Sequence, residues 1–422
     1  GGLSIFTASD IAKFGINFRP NPLGQYTAAD LGLSTAAARG QMDLVSKDFR
    51  LPKIFRASLA VDKKLKDNWS ITVEGSFSKN INEIYYRRLD INPPVAQLSG
   101  PDNRYIYDLK RIGYPAGSGI TAGSNPYTGV FLLENQPYYR RSGFAYNFTA
   151  SIDKSWTDGF SFNAFYTYGS SFVTHEPTSS QNNSQWRFME TVNGRNDVQR
   201  SRSDFDLGHR VSAFIAKKFT YAKGALASTI SLVYNGQSGN PFSYVYATGP
   251  VRDQGTSESN DLIFIPTADQ IKAMTFVTNS SFPLSPAQQA AALENYIAQD
   301  NYLSKNRGKY AERNGARLPF TNIIDVKFVQ DFNVKIYNKK YQFQLTYDVF
   351  NFTNMLNRNW GRTYFMSNDQ TSLIKYQGAT GSTVPSYSFA PVANNTPWGI
   401  SSSTAPSYSA RWVSQLGLRF KF

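Results

Sequence analysis

An alternation of oily and hydrophilic side chains, repeated through nine segments, constrains this chain more than any other feature. In residues 411–422, Trp412, Leu416, Leu418, Phe420 and Phe422 fall on one parity, and Arg411, Gln415, Arg419 and Lys421 on the other. Successive side chains of an extended strand point to opposite faces, so one face is greasy and the other wet. Such a strand belongs where lipid lies on one side and water on the other, as in a transmembrane β-barrel.

The same rhythm marks four hairpins before that last strand. They are 52–64 with 69–88, 140–155 with 159–174, 205–219 with 224–239, and 320–332 with 339–354. Phe144, Tyr146, Phe148, Ala150 and Ile152 share one parity; Tyr341, Phe343, Leu345, Tyr347 and Val349 alternate with Gln342, Gln344, Thr346 and Asp348. Very short turns close the hairpins at 65–68, 156–158, 220–223 and 335–338. The hairpins are joined by the long stretches 89–139, 175–204, 240–319 and 355–410. Short turns on one side and long loops on the other are the asymmetry of an outer-membrane barrel, and a soluble sandwich has no reason to sort its loops this way. Trp69, Trp156, Tyr221 and Tyr337 fall at the short-turn ends, the level at which amphipathic rings meet lipid headgroups.

Composition agrees with strands rather than spanning helices. Of 422 residues, 15% are aromatic but only 41% apolar, and the mean hydropathy is −0.41. No run approaches the roughly 20 apolar residues that a spanning helix needs. The absence of cysteine excludes disulfides and thiolate metal sites, and suits a protein exported through an oxidising compartment. The net charge of +14 is scattered along strands and loops instead of forming a stripe, which speaks against nucleic acid. Anionic phosphates of outer-membrane lipopolysaccharide, or an anionic cargo, suit it better.

Within the third long loop, Ser285, Pro286 and Gln288 supply an N-cap, an N1 proline and a capping-box partner. Leu293, Tyr296 and Ile297 then form an apolar stripe. This predicts one short loop helix folded onto its own loop. Catalytic and cofactor signatures are absent from the pattern. His175 opens a loop, His209 shares parity with Val211 and Ala213, and no phosphate-cradling glycine loop precedes a helix. Asp253, Glu258 and Asp261 do not have calcium-hand spacing and read as solvated loop charges. No enzyme, cofactor or metal is expected.

Nine strands with a chain that begins outside, in the segment 1–51, leave strand 52–64 with an unpaired edge, which is costly in hydrocarbon. Further strands are therefore expected from the same polypeptide or a second one. The start at Gly1-Gly2-Leu3, with neither a basic region nor an apolar one, reads as a processed piece or a fragment.

Several stretches resemble the large TonB-dependent receptors of Bacteroidetes, especially the Oar-like branch. Residues 49–65, opening Phe49-Arg50-Leu51-Pro52, and 71–86 are similar to a strand opening of that branch. Asp206-Leu207-Gly208-His209-Arg210 is similar to a late strand start. Gly239-Asn240-Pro241-Phe242-Ser243 and Asn260-Asp261-Leu262-Ile263-Phe264-Ile265-Pro266 match loop signatures. Residues 307–317, Tyr347-Asp348-Val349-Phe350-Asn351-Phe352-Thr353-Asn354 and the closing Phe422 complete the set, in the family's order. The resemblance implies that 52–422 is the C-terminal nine or so strands of an antiparallel barrel of about 22. It also implies a plug and a TonB-contacting part outside this sequence. A terminal strand read by the barrel-insertion machinery would map onto Trp412, Leu418, Phe420 and Phe422.

From loop position, Trp186, Arg187, Tyr244, Tyr246, Arg252 and Asp253 are the expected ligand contacts. From parity, Arg56, Glu74, Gln344 and Asp348 are expected to line the lumen. The competing reading is a non-transporting barrel whose loops bind another surface protein, such as a lipoprotein. A passive pore fits less well, because the loops are too large for simple rims.

Overall fold

Nine strands in the computed structural model pair in the order in which they occur along the chain, each antiparallel to its neighbours. The structure describes residues 41–107, 129–136, 142–253, 260–278, 284–337, 339–378, 383–392, 395–400 and 410–421. The strands are β1 (Lys53–Lys64), β2 (Trp69–Asn82), β3 (Phe144–Ser155), β4 (Phe160–Val173) and β5 (Gly208–Tyr221). They continue as β6 (Leu226–Gln237), β7 (Thr321–Ile336), β8 (Lys339–Phe350) and β9 (Val413–Lys421). Each corresponds to one segment of the sequence rhythm. The sheet is open, because β1 and β9 do not pair with each other among the described residues.

Register keeps the two faces separate across the whole sheet. One row runs Trp69, Lys154, Phe162, Ile215, Leu232, Val326 and Val349, from β2 to β8. A row on the opposite face runs Ser155, Ser161, Ala216, Ser231, Lys327, Asp348 and Gln415. A slip of one residue in any pair would turn a strand's oily side chains into the wet face, so the patterning specifies the register. Among the described residues most of the oily face has no protein cover, Val349 at its loop end being buried. Leu418 is 85% exposed and Leu59 75%, and Phe343, Phe77 and Phe148 are exposed with them. An apolar surface of this extent is foreign to a monomer in water.

The wet face is laced instead with cross-strand polar pairs. Thr72 Oγ1 donates to Asp62 at 2.6 Å, Ser212 Oγ to Asn235 at 3.0 Å and Gln344 Nε2 to Asp331 at 2.7 Å. At the short-turn ends, Asp67 and Asn68 both take positive φ (57° and 60°), the twist a two-residue hairpin requires. Trp69 and Trp156 meet edge-on at 5.8 Å there, with Lys154 Nζ 4.6 Å from each ring. Tyr221 ends β5 and Tyr337 occupies the turn before β8.

Two expectations need correction. The segment 69–88 is not one strand. At Glu83 it leaves the sheet, because the Glu83 carboxylate takes the backbone N–H of Gly143 (2.6 Å) and of Thr174 (2.7 Å) at the ends of the neighbouring strands. Ile84–Arg88 then pairs with Val130–Asn135, which also carries Met42–Val45, in a separate three-stranded sheet. Of the expected segment 1–51, residues 1–40 lie outside the described residues.

The second correction concerns the long connections, which form a folded body. Strand Pro241–Thr248 runs parallel to Gln370–Gly378, and Ser386–Ser388, Thr275–Phe276 and Ala316–Arg317 extend that sheet to five strands. The expected helix, α1 (Pro286–Gln299), is present with its Ser285/Gln288 capping box, and it buries Leu293, Tyr296 and Ile297 in the body's core. Full burial of each such side chain stabilises the body by about 1.5–3 kcal/mol. It is not the sole helix: Ala268–Ala273 has a capping box of its own from Thr267 and Gln270, and Asn182–Arg187 and Phe352–Leu356 add single turns.

Candidate functional site

Arg56, Glu74, Gln344 and Asp348 all lie on the wet face, but the fold splits them into two groups. Arg56 and Glu74 line one side of a cavity of about 490 Å³ with Ser58, Ser76, Ser78 and Asn147. Gln344 and Asp348 belong to the far end of the sheet, where Lys327 Nζ donates to Asp348 at 2.8 Å. The cavity therefore offers hydroxyl and amide groups with one charge of each sign, beside the apolar Ala57, Phe77 and Ala145.

The loop residues expected to touch a ligand are mostly inside the loop body. Trp186 and Tyr244 are 0% exposed, and Tyr246 and Asp253 1%. Trp186 Nε1 donates to Asn196 Oδ1 (2.8 Å), and Asn196 also takes the Arg88 backbone N–H, which locks the loop after β4 onto strand Ile84–Arg88. Tyr244 donates to Asp300 and Tyr246 to Asp102, both at 2.7 Å. Their contact role is corrected on that ground: aromatic rings in polar loops here build a core, and their hydroxyls satisfy buried carboxylates. Arg187 is exposed, beside the exposed Phe188 ring at 5.4 Å, and Arg252 is half-buried with φ of 63°.

Asp253 and Asp261 are not solvated charges either. Arg195 Nη1 forms a short ion pair with Asp253 and lies 3.9 Å from Asp261, all three side chains being buried. Arg195 Nε also donates to the Arg187 carbonyl at 2.9 Å. Asp261 Oδ2 accepts the Val251 N–H at 2.9 Å, and Gly249 lies so close that a Cβ there would stand 2.0 Å from that oxygen. Glu258 lies outside the described residues. Burial, with the Asp253 carboxylate beside it, pushes the Asp261 carboxyl up to about 6 from 3.8, although Arg195 and Arg104 pull it down.

This arrangement makes the body's stability depend on pH. The folded form holds the Asp261 proton up to about pH 6 and the unfolded chain only to about 3.8, so between them the folded form binds more protons. Stability therefore falls as pH rises through that window. Asp261→Asn keeps an acceptor for Val251 and removes that carboxyl's share of the slope, while Glu190, raised by desolvation to about 7, keeps its own; the gain is on the order of 2 kcal/mol at pH 7.5. Thermal melts of the two proteins in detergent, followed by tryptophan fluorescence from pH 4 to 8, check it; parallel pH curves would contradict the assignment.

The body is fastened to the strand ends by arginines of the segment 307–317. The buried Arg313 guanidinium donates to the carbonyls of Val173 (2.8 Å) and Thr174 (2.7 Å) at the end of β4, where the short strand Ser201–Arg202 also pairs with it. Arg317 pairs with Asp206, whose other oxygen accepts the Ser171 N–H at 2.5 Å. These residues were read in the sequence only as part of a resemblance. Burial of an arginine is invisible there.

A two-faced antiparallel sheet with short turns at one end is consistent in kind with what the family comparison finds. The model of the outer membrane beta barrel domain matches residues 6–383. The chain belongs to that family. A search among curated proteins finds no match.

The barrel domain therefore resides in the outer membrane, where its exposed oily face meets acyl chains and its wet face the interior. Leu418 and Phe420 project from β9 onto the oily face, paired with Leu345 and Phe343; Trp412 precedes the strand, and Phe422 lies outside the described residues. Neither histidine faces the interior. His175 packs between Tyr85 (4.8 Å) and Tyr86 (5.3 Å), and His209 Nδ1 bonds the Tyr166 hydroxyl at 2.7 Å on the oily face. No group of three or more metal-ligating side chains occurs among the described residues.

Proposed function

We propose that this barrel is a TonB-dependent receptor that captures an extracellular ligand on its loop body and passes it through a plugged interior, with no bond made or broken. The observation that carries this reading is the loop body. Connections that need only cross between strands instead build a core of their own, held by a buried ion network and fixed to β4 and β5 through Arg313 and Arg317. A rigid surface of this kind lowers the entropy lost on binding, which a receptor needs and a simple pore does not. The exposed Arg187 and the half-buried Arg252 are the charged contacts it offers. The resemblance of the chain's ordered motifs to TonB-dependent receptors supports the energy-driven step, which the plug and TonB would supply.

Cells lacking the protein, and cells in which it is restored, are to be compared for uptake of a labelled panel of oligopeptides, oligosaccharides and metal chelates. The expected result is loss of one class of uptake, its return with the protein, and its abolition by a protonophore. Unaltered uptake across the panel would overturn the transport reading in favour of a barrel that serves as a partner-binding subunit for a surface lipoprotein.

A further inference from the structure

At the loop end of β7, β8 and β9, two cavities adjoin and share Arg362, the first of them on the oily side of the sheet. The first, about 260 Å³, is lined by Asn322 and Ile324 of β7 together with Trp360 and Arg362. Ile324 pairs with Tyr234 on the oily face, and the Tyr234 hydroxyl donates to Asn322 at 2.7 Å, so this cavity opens where the acyl layer ends. The second, about 300 Å³, is lined by Arg358, Arg362 and Arg411 with Asn354, Ile400 and Trp412. No carboxylate lines either cavity, and no ion pair reaches any of the three arginines among the described residues.

The site is built and not a chance gathering of surface charge. Asn351, in the left-handed conformation at the end of β8, donates through Nδ2 to the Gly361 carbonyl at 2.8 Å. Gly361 has φ of 60°, and a Cβ there would collide with the Asn351 amide oxygen at 1.8 Å. Asn354 donates to the Trp360 carbonyl at 2.8 Å and accepts the Trp412 N–H at 3.3 Å, which ties the loop to the start of β9. Arg362 Nε donates to the Arg358 carbonyl at 3.2 Å. The two asparagines of the motif after β8 thus hold the backbone that carries Arg358, Trp360 and Arg362, next to Arg411 and Trp412. Trp360 is 54% exposed and Trp412 45%, so two indole rings flank three guanidinium groups.

We propose that this cleft binds the phosphorylated headgroup of an outer-leaflet glycolipid, with the arginines on its phosphates and the indole rings beside its first acyl carbons. Charge complementarity and height in the membrane select this occupant. Guanidinium forks match phosphate oxygens in pairs, and indole rings are stable where headgroup meets hydrocarbon. The long-loop end of an outer-membrane barrel faces the outside, so the lipid that reaches the cleft is that of the outer leaflet. The inference requires only the barrel and its orientation, and stands apart from the transport reading.

The test uses the full-length protein in detergent, with lipid A, phosphate-free lipid A and inorganic phosphate as probes, and bound lipid counted by native mass spectrometry. Wild-type protein is expected to retain one lipid A, to bind the phosphate-free form at least about tenfold more weakly, and to keep its lipid in millimolar inorganic phosphate. The triple variant Arg358→Gln/Arg362→Gln/Arg411→Gln should lose about tenfold or more in lipid A binding. The wet-face variant Arg56→Gln/Arg210→Gln/Arg419→Gln should lose none. Equal retention of the phosphate-free lipid by wild-type protein overturns the proposal without recourse to any variant. So does displacement of lipid A by inorganic phosphate, which would mark a plain anion site, or an equal loss in the wet-face variant, which would mark diffuse attraction. Heat-modifiable migration in electrophoresis verifies that each variant is folded.

Discussion

Arg195→Met is expected to unfold the loop body while leaving the barrel sheet intact. The guanidinium is the near counter-charge of Asp253 and Asp261, which are both buried, and its removal strands a carboxylate in a dry site. Breaking a buried pair from one side costs about 3–5 kcal/mol, a large fraction of what a body of this size has in reserve. The apolar substitute fills much of the volume, so the loss reports charge more than cavity. Hydrogen exchange followed by mass spectrometry should show residues 241–253 and 260–265 approaching unfolded rates, with β5 and β6 still protected. The triple replacement Arg195→Met/Asp253→Asn/Asp261→Asn, which leaves no charge behind, should recover most of the protection. Undiminished protection in Arg195→Met would remove the ion network from the account of how the body is held.

Leu232→Arg and Val233→Arg, one residue apart near the middle of β6, are expected to differ by about 2–4 kcal/mol in barrel stability. Leu232 stands between Ile215 and Val326 on the oily face, so a guanidinium there meets acyl chains. Val233 stands between Phe214 and Asp325 on the wet face, where the new charge has water and a carboxylate. Denaturant unfolding in lipid vesicles, with heat-modifiable migration as the measure of folded protein, gives the comparison. Equal effects, or a larger one at Val233, would mean that the exposed leucines, phenylalanines and tyrosines do not face lipid.

The sheet was legible because its cause is local. Whether a side chain goes to lipid or to water is decided by its own chemistry and by parity, so residues 411–422 or 339–350 disclose a strand without reference to anything distant. The helix at Pro286 was legible for a similar reason, since Ser285, Pro286 and Gln288 satisfy the helix end within one turn. The matching capping box at Thr267 and Gln270 carried the same signal and passed unread. Glu83 was not legible, because what ends β2 is the demand of two amides on other strands, at Gly143 and Thr174.

The loop residues show the same division more sharply. Tyr244, Tyr246, Trp186 and Asp253 are polar or amphipathic and lie in long connections, which suggests an outward role. Their partners Asp300, Asp102, Asn196 and Arg195 are 10 to 144 residues away. The sequence by itself determined the two-faced strands and the outer-membrane environment, because period-two partition between oil and water is a property of each strand taken singly. Only the tertiary structure decided which loop charges are buried in pairs, how the body is bolted to β4 and β5, and where three arginines converge beside two tryptophans. Those outcomes depend on the burial of one polar group being offset by another far along the chain, and no local pattern records that pairing.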